Sequence, residues 1–135
     1  MEKANIVLVE DNPGDVMLVE LALKEAGITH ELTLFETGVE AVECLCASEG
    51  VAVRPDAILL DLNTPRSDGF EVLGKLTTSP RLSAVPIALL SSSRARFDKN
   101  RAELHSVRYI EKPSQVHEFL YAVGHAVREM LASRG

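Results

Sequence analysis

Short runs of consecutive apolar residues alternate along the chain with longer segments in which apolar residues recur every three or four positions. Uninterrupted apolar runs are typical of strands buried on both faces of a parallel sheet, and the three- to four-residue spacing is typical of amphipathic helices. The pattern predicts an edge strand at residues 31–35, where polar and apolar residues alternate, buried strands at residues 6–9, 57–60 and 86–90, and a short strand at residues 107–110.

Helices are predicted between and after these strands. Asn12 is a favourable N-cap with Pro13 in the first helical position, and Gly27 is a favourable stop for the same helix. Thr37 and Glu40 have the spacing of a capping box that opens the next helix. Further helices are predicted at residues 70–76, 94–104 and 116–130. Five strand–helix pairs in succession predict an α/β fold, a parallel sheet with helices on both faces.

Composition indicates one globular domain, residues 1–135, because 135 residues of which 46% are apolar suffice for a single core. The 20 Asp and Glu against 14 Lys and Arg give a net charge of −6, which argues against nucleic acid as a partner.

Cys44 and Cys46 lie two positions apart in a predicted helix, so they are not expected to form a disulfide. With no segment suited to a membrane span or a secretion signal, we expect a cytoplasmic protein.

Polar residues stand at the ends of the predicted buried strands. Glu10 and Asp11 follow the first strand, Asp61 the next buried one and Ser91 the third, and Lys112 comes shortly after the last. Ligands of open α/β sheets bind beyond the carboxyl ends of the strands, so these side chains are expected to meet. Three neighbouring carboxylates repel one another unless a cation is present, and Mg²⁺ prefers such oxygen ligands. A carboxylate beside Mg²⁺ can attack phosphorus, with a lysine and a hydroxyl stabilising the phosphoryl oxygens.

Each of these residues also has an ordinary explanation when it is considered alone. The acids suit a helix N-terminus or a loop, the serine suits a helix cap, and the lysine suits a solvent-exposed surface. Their joint position at four strand ends favours a common site over coincidence.

The same residues and their neighbours resemble the receiver domain of two-component response regulators along essentially the whole chain. The segments that carry the resemblance are the pair Glu10-Asp11, the loop Asp61-Leu62-Asn63-Thr64-Pro65 with Gly69 after it, Ser91 thirty residues past Asp61, Tyr109, and Lys112-Pro113. The resemblance implies a flavodoxin-like (βα)5 fold, which is a doubly wound parallel sheet with strand order 2-1-3-4-5 in a three-layer sandwich.

The resemblance also implies a role for each site residue. A sensor histidine kinase is expected to donate a phosphoryl group to Asp61, the phosphoacceptor. The protein is expected to be no enzyme beyond its own phosphorylation and dephosphorylation. Lys112 and Ser91 are expected to contact the phosphoryl group, and Tyr109 is expected to act as an aromatic switch. The expected ligands of Mg²⁺ are the carboxylates of Glu10, Asp11 and Asp61 and the backbone carbonyl of Asn63.

Two segments, residues 10–15 and 104–112, look like the single-domain regulators that are paired with bacterial phytochromes. Because only 23 residues follow Lys112, we expect no output domain. The expected partner is a sensor histidine kinase, with a bacteriophytochrome as one candidate. A homodimer through the last helices and strand is a further hypothesis.

Two other functions remain compatible with the predicted fold. A phosphorylation-independent adaptor is the first, although such proteins usually lose a member of the set that is intact here. A flavodoxin-like or haloacid-dehalogenase-like enzyme is the second. A haloacid dehalogenase would need a second acid two residues after the nucleophile, where this chain has Asn63. A flavin-binding protein would need a phosphate-cradling loop where Glu10 and Asp11 stand.

Overall fold

The computed structural model of the protein describes residues 3–47, 54–64, 68–92, 100–102, 107–112 and 115–133. In this part of the chain five strands form one sheet, namely β1 (Ala4–Val9), β2 (His30–Phe35), β3 (Ala57–Asp61), β4 (Ile87–Ser91) and β5 (Arg108–Glu111). The longer helices of the described residues are α1 (Pro13–Glu25), α2 (Gly38–Leu45), α3 (Gly69–Thr77) and α4 (Val116–Ser133).

All neighbouring strands pair in parallel, in the order β2-β1-β3-β4-β5. This order confirms the doubly wound sheet that the resemblance implied. The direction in which strands are added reverses between β1 and β3, which is where open α/β sheets bind ligands. The register places Asp61 opposite Leu90 and Ser91 opposite Glu111, so the carboxyl ends of these strands lie at one edge of the sheet.

Helices cover both faces of the sheet. Leu8 and Leu59 belong to a core that includes residues of α1 and α4, whereas Ile58 and Leu60 belong to a second core that includes residues of α2 and α3. Successive residues of a strand point to opposite faces, so strands covered on both sides need an uninterrupted apolar run. The three-layer arrangement confirms the predicted sandwich and explains why the central strands were readable from the sequence.

Local signals at the helix ends were predicted correctly. Asn12 Oδ1 accepts a hydrogen bond from the Asp15 N–H (3.1 Å), and Thr37 Oγ1 accepts one from the Glu40 N–H (3.2 Å). Gly27 follows α1 with a φ of 74°, a left-handed conformation that glycine adopts at little cost. Such capping depends on residues only a few positions apart, which is why the sequence is sufficient to predict it.

Most of the helix predicted at residues 94–104 lies outside the described residues. Residues 100–102 are helical, and the guanidinium carbon of Arg101 lies 4.0 Å from the centroid of the Phe70 ring on α3, a cation–π contact.

The 3₁₀ helix at Pro80–Leu82 was not predicted, since three residues are too few for a periodic pattern. Among the described helices, none combines the length and the apolar composition that crossing a bilayer requires.

Gly69, the first residue of α3, lies against the loop that follows β3. A Cβ at this position would come within 2.6 Å of the Leu62 side chain and 2.8 Å of the Leu62 Cα. We expect Gly69→Ala to lower the free energy of unfolding by about 2 kcal/mol, because backbone must move to make room. Gly74 in the same helix is a matched control, since no described atom beyond its chain neighbours and the adjacent helix backbone lies within 4 Å of its Cβ position.

Gly74→Ala should instead raise the free energy of unfolding by about 0.5–1 kcal/mol, because alanine is the better helix former. Urea denaturation of both variants measures the two effects. Equal effects of the two alanines would contradict the close approach at Gly69.

Candidate functional site

Backbone hydrogen bonds continue past the strands and hold the polar residues at the carboxyl edge of the sheet. The Glu10 N–H donates to the Phe35 carbonyl (2.9 Å), and the Lys112 N–H donates to the Ser91 carbonyl (2.8 Å). Asp61 and Ser91 are the last residues of β3 and β4, rather than the first residues after them as the sequence had indicated. The positions of these side chains are therefore set by the sheet itself and not by loops.

Three carboxylates form an acid cluster at this edge. One oxygen each of Glu10, Asp11 and Asp61 lies within 4.8 Å of the other two. Glu10 and Asp61 are only 1% and 2% exposed, whereas Asp11 is exposed, so the cluster can be reached from solvent. Carboxylate oxygens in this number suit a hard divalent cation such as Mg²⁺ or Mn²⁺, which completes its shell with water and carbonyl oxygens. The donor set therefore fits the expected metal.

Lys112 brings a positive charge into the same edge. Its Nζ donates to Glu10 Oε1 (2.8 Å), Asp15 Oδ2 (2.8 Å) and Asp61 Oδ2 (3.0 Å), and its side chain is only 13% exposed. An ammonium has three N–H groups, so the three carboxylates satisfy it completely. Asp15 was not predicted as a site residue. The only signal in the sequence is its place in the first turn of the helix that follows β1.

Burial and neighbouring charge shift the pKa values of two of these groups. Burial, together with the nearby Asp61 carboxylate, raises the pKa of Glu10 to about 7, although Lys112 partly opposes the shift. For Lys112, burial disfavours the charge, but hydrogen bonds to Asp15, Glu10 and Asp61 outweigh it and raise the pKa of this amine. Without a metal, Lys112 is therefore always charged at neutral pH, whereas Glu10 is partly protonated.

Asp61 is held from two sides. Its Oδ2 accepts the Lys112 hydrogen bond, and its Oδ1 accepts one from the Asn63 N–H (2.8 Å). The Asn63 side-chain amide donates in turn to Ser92 Oγ (3.1 Å), which links the loop after β3 to the end of β4. These contacts fix the orientation of the carboxylate, a requirement for a nucleophile that must meet its substrate in line.

The other predicted residues surround this centre. Ser91 is fully buried at the end of β4, and Tyr109 on the neighbouring β5 is half-buried against the core that includes α2 and α3. Pro65 and Pro113, which contribute to the resemblance, lie outside the described residues. The edge thus combines a buried, oriented carboxylate, an ammonium, two further acids and a hydroxyl, which together suit phosphoryl transfer to a carboxylate.

Comparison with known proteins gives an independent result. Residues 6–124 match the family described as the response regulator receiver domain. Response regulator Rcp1 of Synechocystis sp. is 39% identical over 111 residues, which are 79% of this chain and 75% of Rcp1.

Solved structures are similar over nearly the whole chain. The phosphorylated cyanobacterial phytochrome response regulator RcpA is similar with a TM-score of 0.85 and 34% identity, covering 99% of this chain and 97% of RcpA. The Mn²⁺-bound form of response regulator Rcp1 gives a TM-score of 0.84 and 32% identity, covering 96% of each chain. Of these two similar proteins, one is phosphorylated and the other holds a divalent metal.

Proposed function

The chain belongs to the response regulator receiver domain family, and from this premise we propose that it is a phosphorylation switch whose phosphoacceptor is Asp61. The observation that carries the proposal is the setting of the Asp61 carboxylate. It is buried, lies 3.0 Å from the Lys112 ammonium, and shares its edge of the sheet with the acids Glu10 and Asp11. If Asp61 had only a structural role, the Lys112 ammonium alone would neutralise its charge. Two additional acids repel it and destabilise the folded protein unless a cation is bound.

In the proposed reaction an oxygen of Asp61 attacks the phosphorus of a phosphohistidine on a sensor kinase. The P–N bond breaks, an aspartyl phosphate forms, and the kinase histidine keeps the electron pair and takes up a proton from solvent to leave as neutral imidazole. Mg²⁺, held by Glu10, Asp11, Asp61 and the Asn63 carbonyl, would supply positive charge next to the phosphoryl oxygens. Lys112 adds a second positive charge, and the Asn63 N–H keeps the carboxylate oriented while the other oxygen reacts.

The proposed switch consists of Ser91 on β4 and Tyr109 on the adjacent β5. Tyr109 pairs with Leu89, which is two positions before Ser91 on the same strand, so the two switch residues lie near each other. The Ser91 hydroxyl turns toward the phosphoryl group and hydrogen-bonds to one of its oxygens. The Tyr109 ring then moves inward from its half-buried position. Two local contacts thereby shift the balance between two arrangements of the surface that a partner protein reads.

The proposed phosphodonor is a sensor histidine kinase of the phytochrome class. Support comes from the similarity to RcpA, a phytochrome response regulator, which extends over 97% of that protein at 34% identity.

Incubation with a small phosphodonor such as acetyl phosphate, followed by intact-mass measurement, tests the proposed function. We expect the mass of one phosphoryl group to be added in the presence of Mg²⁺ and none after chelation by EDTA. No addition in either condition would favour the phosphorylation-independent adaptor, since that function makes no use of the acid cluster.

We further propose a homodimer through α4 and β5. Arg108 on β5 pairs with Glu129 on α4 (2.8 Å), so the two elements form one continuous surface, and Tyr121 on that surface is 72% exposed. A large exposed aromatic side chain is typical of protein interfaces. Sedimentation velocity is expected to show a dimer, and monomer alone, with and without phosphorylation, would contradict the proposal.

Affinity for Mg²⁺ is expected to depend on pH through Glu10. Its pKa is raised from 4.5 to about 7, and a metal ligand must be deprotonated. Apparent affinity should therefore fall by about tenfold for each pH unit below 7 and become constant above about pH 8. Isothermal titration calorimetry between pH 6 and pH 8 measures this dependence.

Glu10→Gln should bind Mg²⁺ more weakly and without the change near pH 7. Whereas the affinity for Mg²⁺ should rise with pH, the stability of the metal-free protein should fall. Because the folded state holds the Glu10 proton more tightly than the unfolded state, the free energy of unfolding should decrease as pH rises from 4.5 to about 7. An affinity for Mg²⁺ that is independent of pH in the unsubstituted protein would contradict the raised pKa.

A further inference from the structure

Lys112 has one carboxylate partner that is not a member of the acid cluster. Its Nζ donates to Glu10 and Asp61, which are in the cluster, and to Asp15 on α1, which is not. The distance to Asp15 is 2.8 Å, equal to the distance to Glu10 and shorter than the 3.0 Å to Asp61. Asp15 is also the most accessible of the three, with 29% of its side chain exposed.

A divalent cation and the Lys112 ammonium compete for the same oxygens. A cation in the cluster takes up oxygens of Glu10 and Asp61, and its charge repels the ammonium at short distance. If these two acids were its only partners, Lys112 would have to leave its carboxylates when the metal binds. It would then lose its hydrogen bonds while remaining largely buried, which is costly for a charged group.

Asp15 is placed to prevent that loss. We propose that Asp15 is a positioning residue that holds the Lys112 ammonium at the rim of the site while Glu10 and Asp61 are engaged by the cation. This inference rests on the proposed function and deepens it, because it explains how one lysine and one metal share the same acids. It assigns to Asp15 no contact with the reacting atoms.

The turn that carries Asp15 is built for a fixed position. Asn12 Oδ1 accepts the Asp15 N–H (3.1 Å), and the Asn12 N–H donates to Glu10 Oε2 (3.3 Å). Asn12 therefore connects the first turn of α1 to the acid cluster. The cap of α1 thus fixes the backbone of Asp15 beside the acid cluster, within reach of Lys112.

A double-mutant cycle on Mg²⁺ affinity tests the proposal. Asp15→Asn should weaken Mg²⁺ binding about fivefold by calorimetry, the size of effect expected for one partly exposed ion pair. In a Lys112→Met background, Asp15→Asn should change the affinity less than about twofold, because the ammonium that Asp15 holds is gone. Glu36→Gln is the matched control: Glu36 is exposed and lines the same depression as Glu10 and Asp11, whereas the described ion pairs of Lys112 are with Glu10, Asp15 and Asp61.

Equal weakening by Asp15→Asn in both backgrounds would overturn the proposal, since it would show a general effect of charge. Equal weakening by Glu36→Gln would do the same. If the unsubstituted protein bound no Mg²⁺, the proposed function would fail as well, whereas normal binding by both the unsubstituted protein and Asp15→Asn would contradict this inference alone.

A crystal structure with Mg²⁺ is a second test that needs no variant. The Lys112 Nζ should stay hydrogen-bonded to Asp15, and a Lys112 that has left Asp15 would overturn the proposal.

Discussion

Asp61→Asn is expected to abolish phosphorylation, lowering the rate of labelling by a small phosphodonor by at least about a thousandfold. An amide oxygen is a poor nucleophile, and the substitution also removes a charge that the metal needs. The fold should persist, because the amide oxygen can still accept one of the two hydrogen bonds that Asp61 accepts, and Lys112 keeps Glu10 and Asp15 as partners. Intact-mass measurement after incubation with Mg²⁺ and acetyl phosphate gives the rate.

Asp68→Asn is the matched control for this prediction. Asp68 caps α3 by accepting the Phe70 N–H (2.9 Å), it is exposed, and asparagine is an equally good N-cap. We expect Asp68→Asn to be labelled at the rate of the unsubstituted protein. Residual labelling of Asp61→Asn at a similar rate would place the phosphoacceptor elsewhere in the chain.

Lys112→Met is expected to lower the free energy of unfolding of the metal-free protein by about 3 kcal/mol at pH 8, as for other broken buried ion pairs. The substitution leaves Glu10 and Asp61 buried and facing each other without a positive charge. Mg²⁺ should restore most of the loss, because it can replace the missing charge between the same oxygens. Urea denaturation with and without Mg²⁺ measures both quantities.

The cost should be smaller at pH 6 than at pH 8. The pKa of Glu10 is about 7 with Lys112 present, and removing the lysine raises it further, so the acid takes up a proton instead of remaining charged. Lys75→Met is the control, since Lys75 is an exposed lysine 3.7 Å from Glu71 on the same helix and should change stability by less than about 0.5 kcal/mol. A Lys112→Met protein whose stability is unaffected by Mg²⁺ would contradict a shared site.

The features that the sequence predicted well depend on short stretches of chain. Buried strands appear as apolar runs because both faces of the sheet are covered, and the caps Asn12 and Thr37 act on residues three positions away. The shared edge followed from the parallel sheet, whose strand ends carry Glu10, Asp61 and Lys112. Each of these predictions needs only the order of apolar and polar residues together with one geometric rule, either the spacing of a helix cap or the parallel alignment of strand ends.

The features that were missed depend on contacts between distant parts of the chain. Asp15 and Lys112 are 97 positions apart, and their hydrogen bond depends on how α1 lies relative to the end of β5. Repulsion among the three acids was expected, but that Glu10 is an acid with a raised pKa depends on burial that a sequence pattern does not quantify. The close approach of Gly69 to Leu62 likewise follows from the path of the loop between β3 and α3.

The central claim, that Asp61 receives a phosphoryl group from a sensor kinase, is tested most directly by the time course of phosphotransfer from purified, phosphorylated histidine kinases, with a phytochrome kinase among them. We predict that at least one kinase transfers its phosphoryl group to this protein in the presence of Mg²⁺ much faster than acetyl phosphate does, and that Asp61→Asn receives none. Transfer by no kinase above the rate of the small donor would contradict the claim and identify the protein as a phosphorylation-independent adaptor.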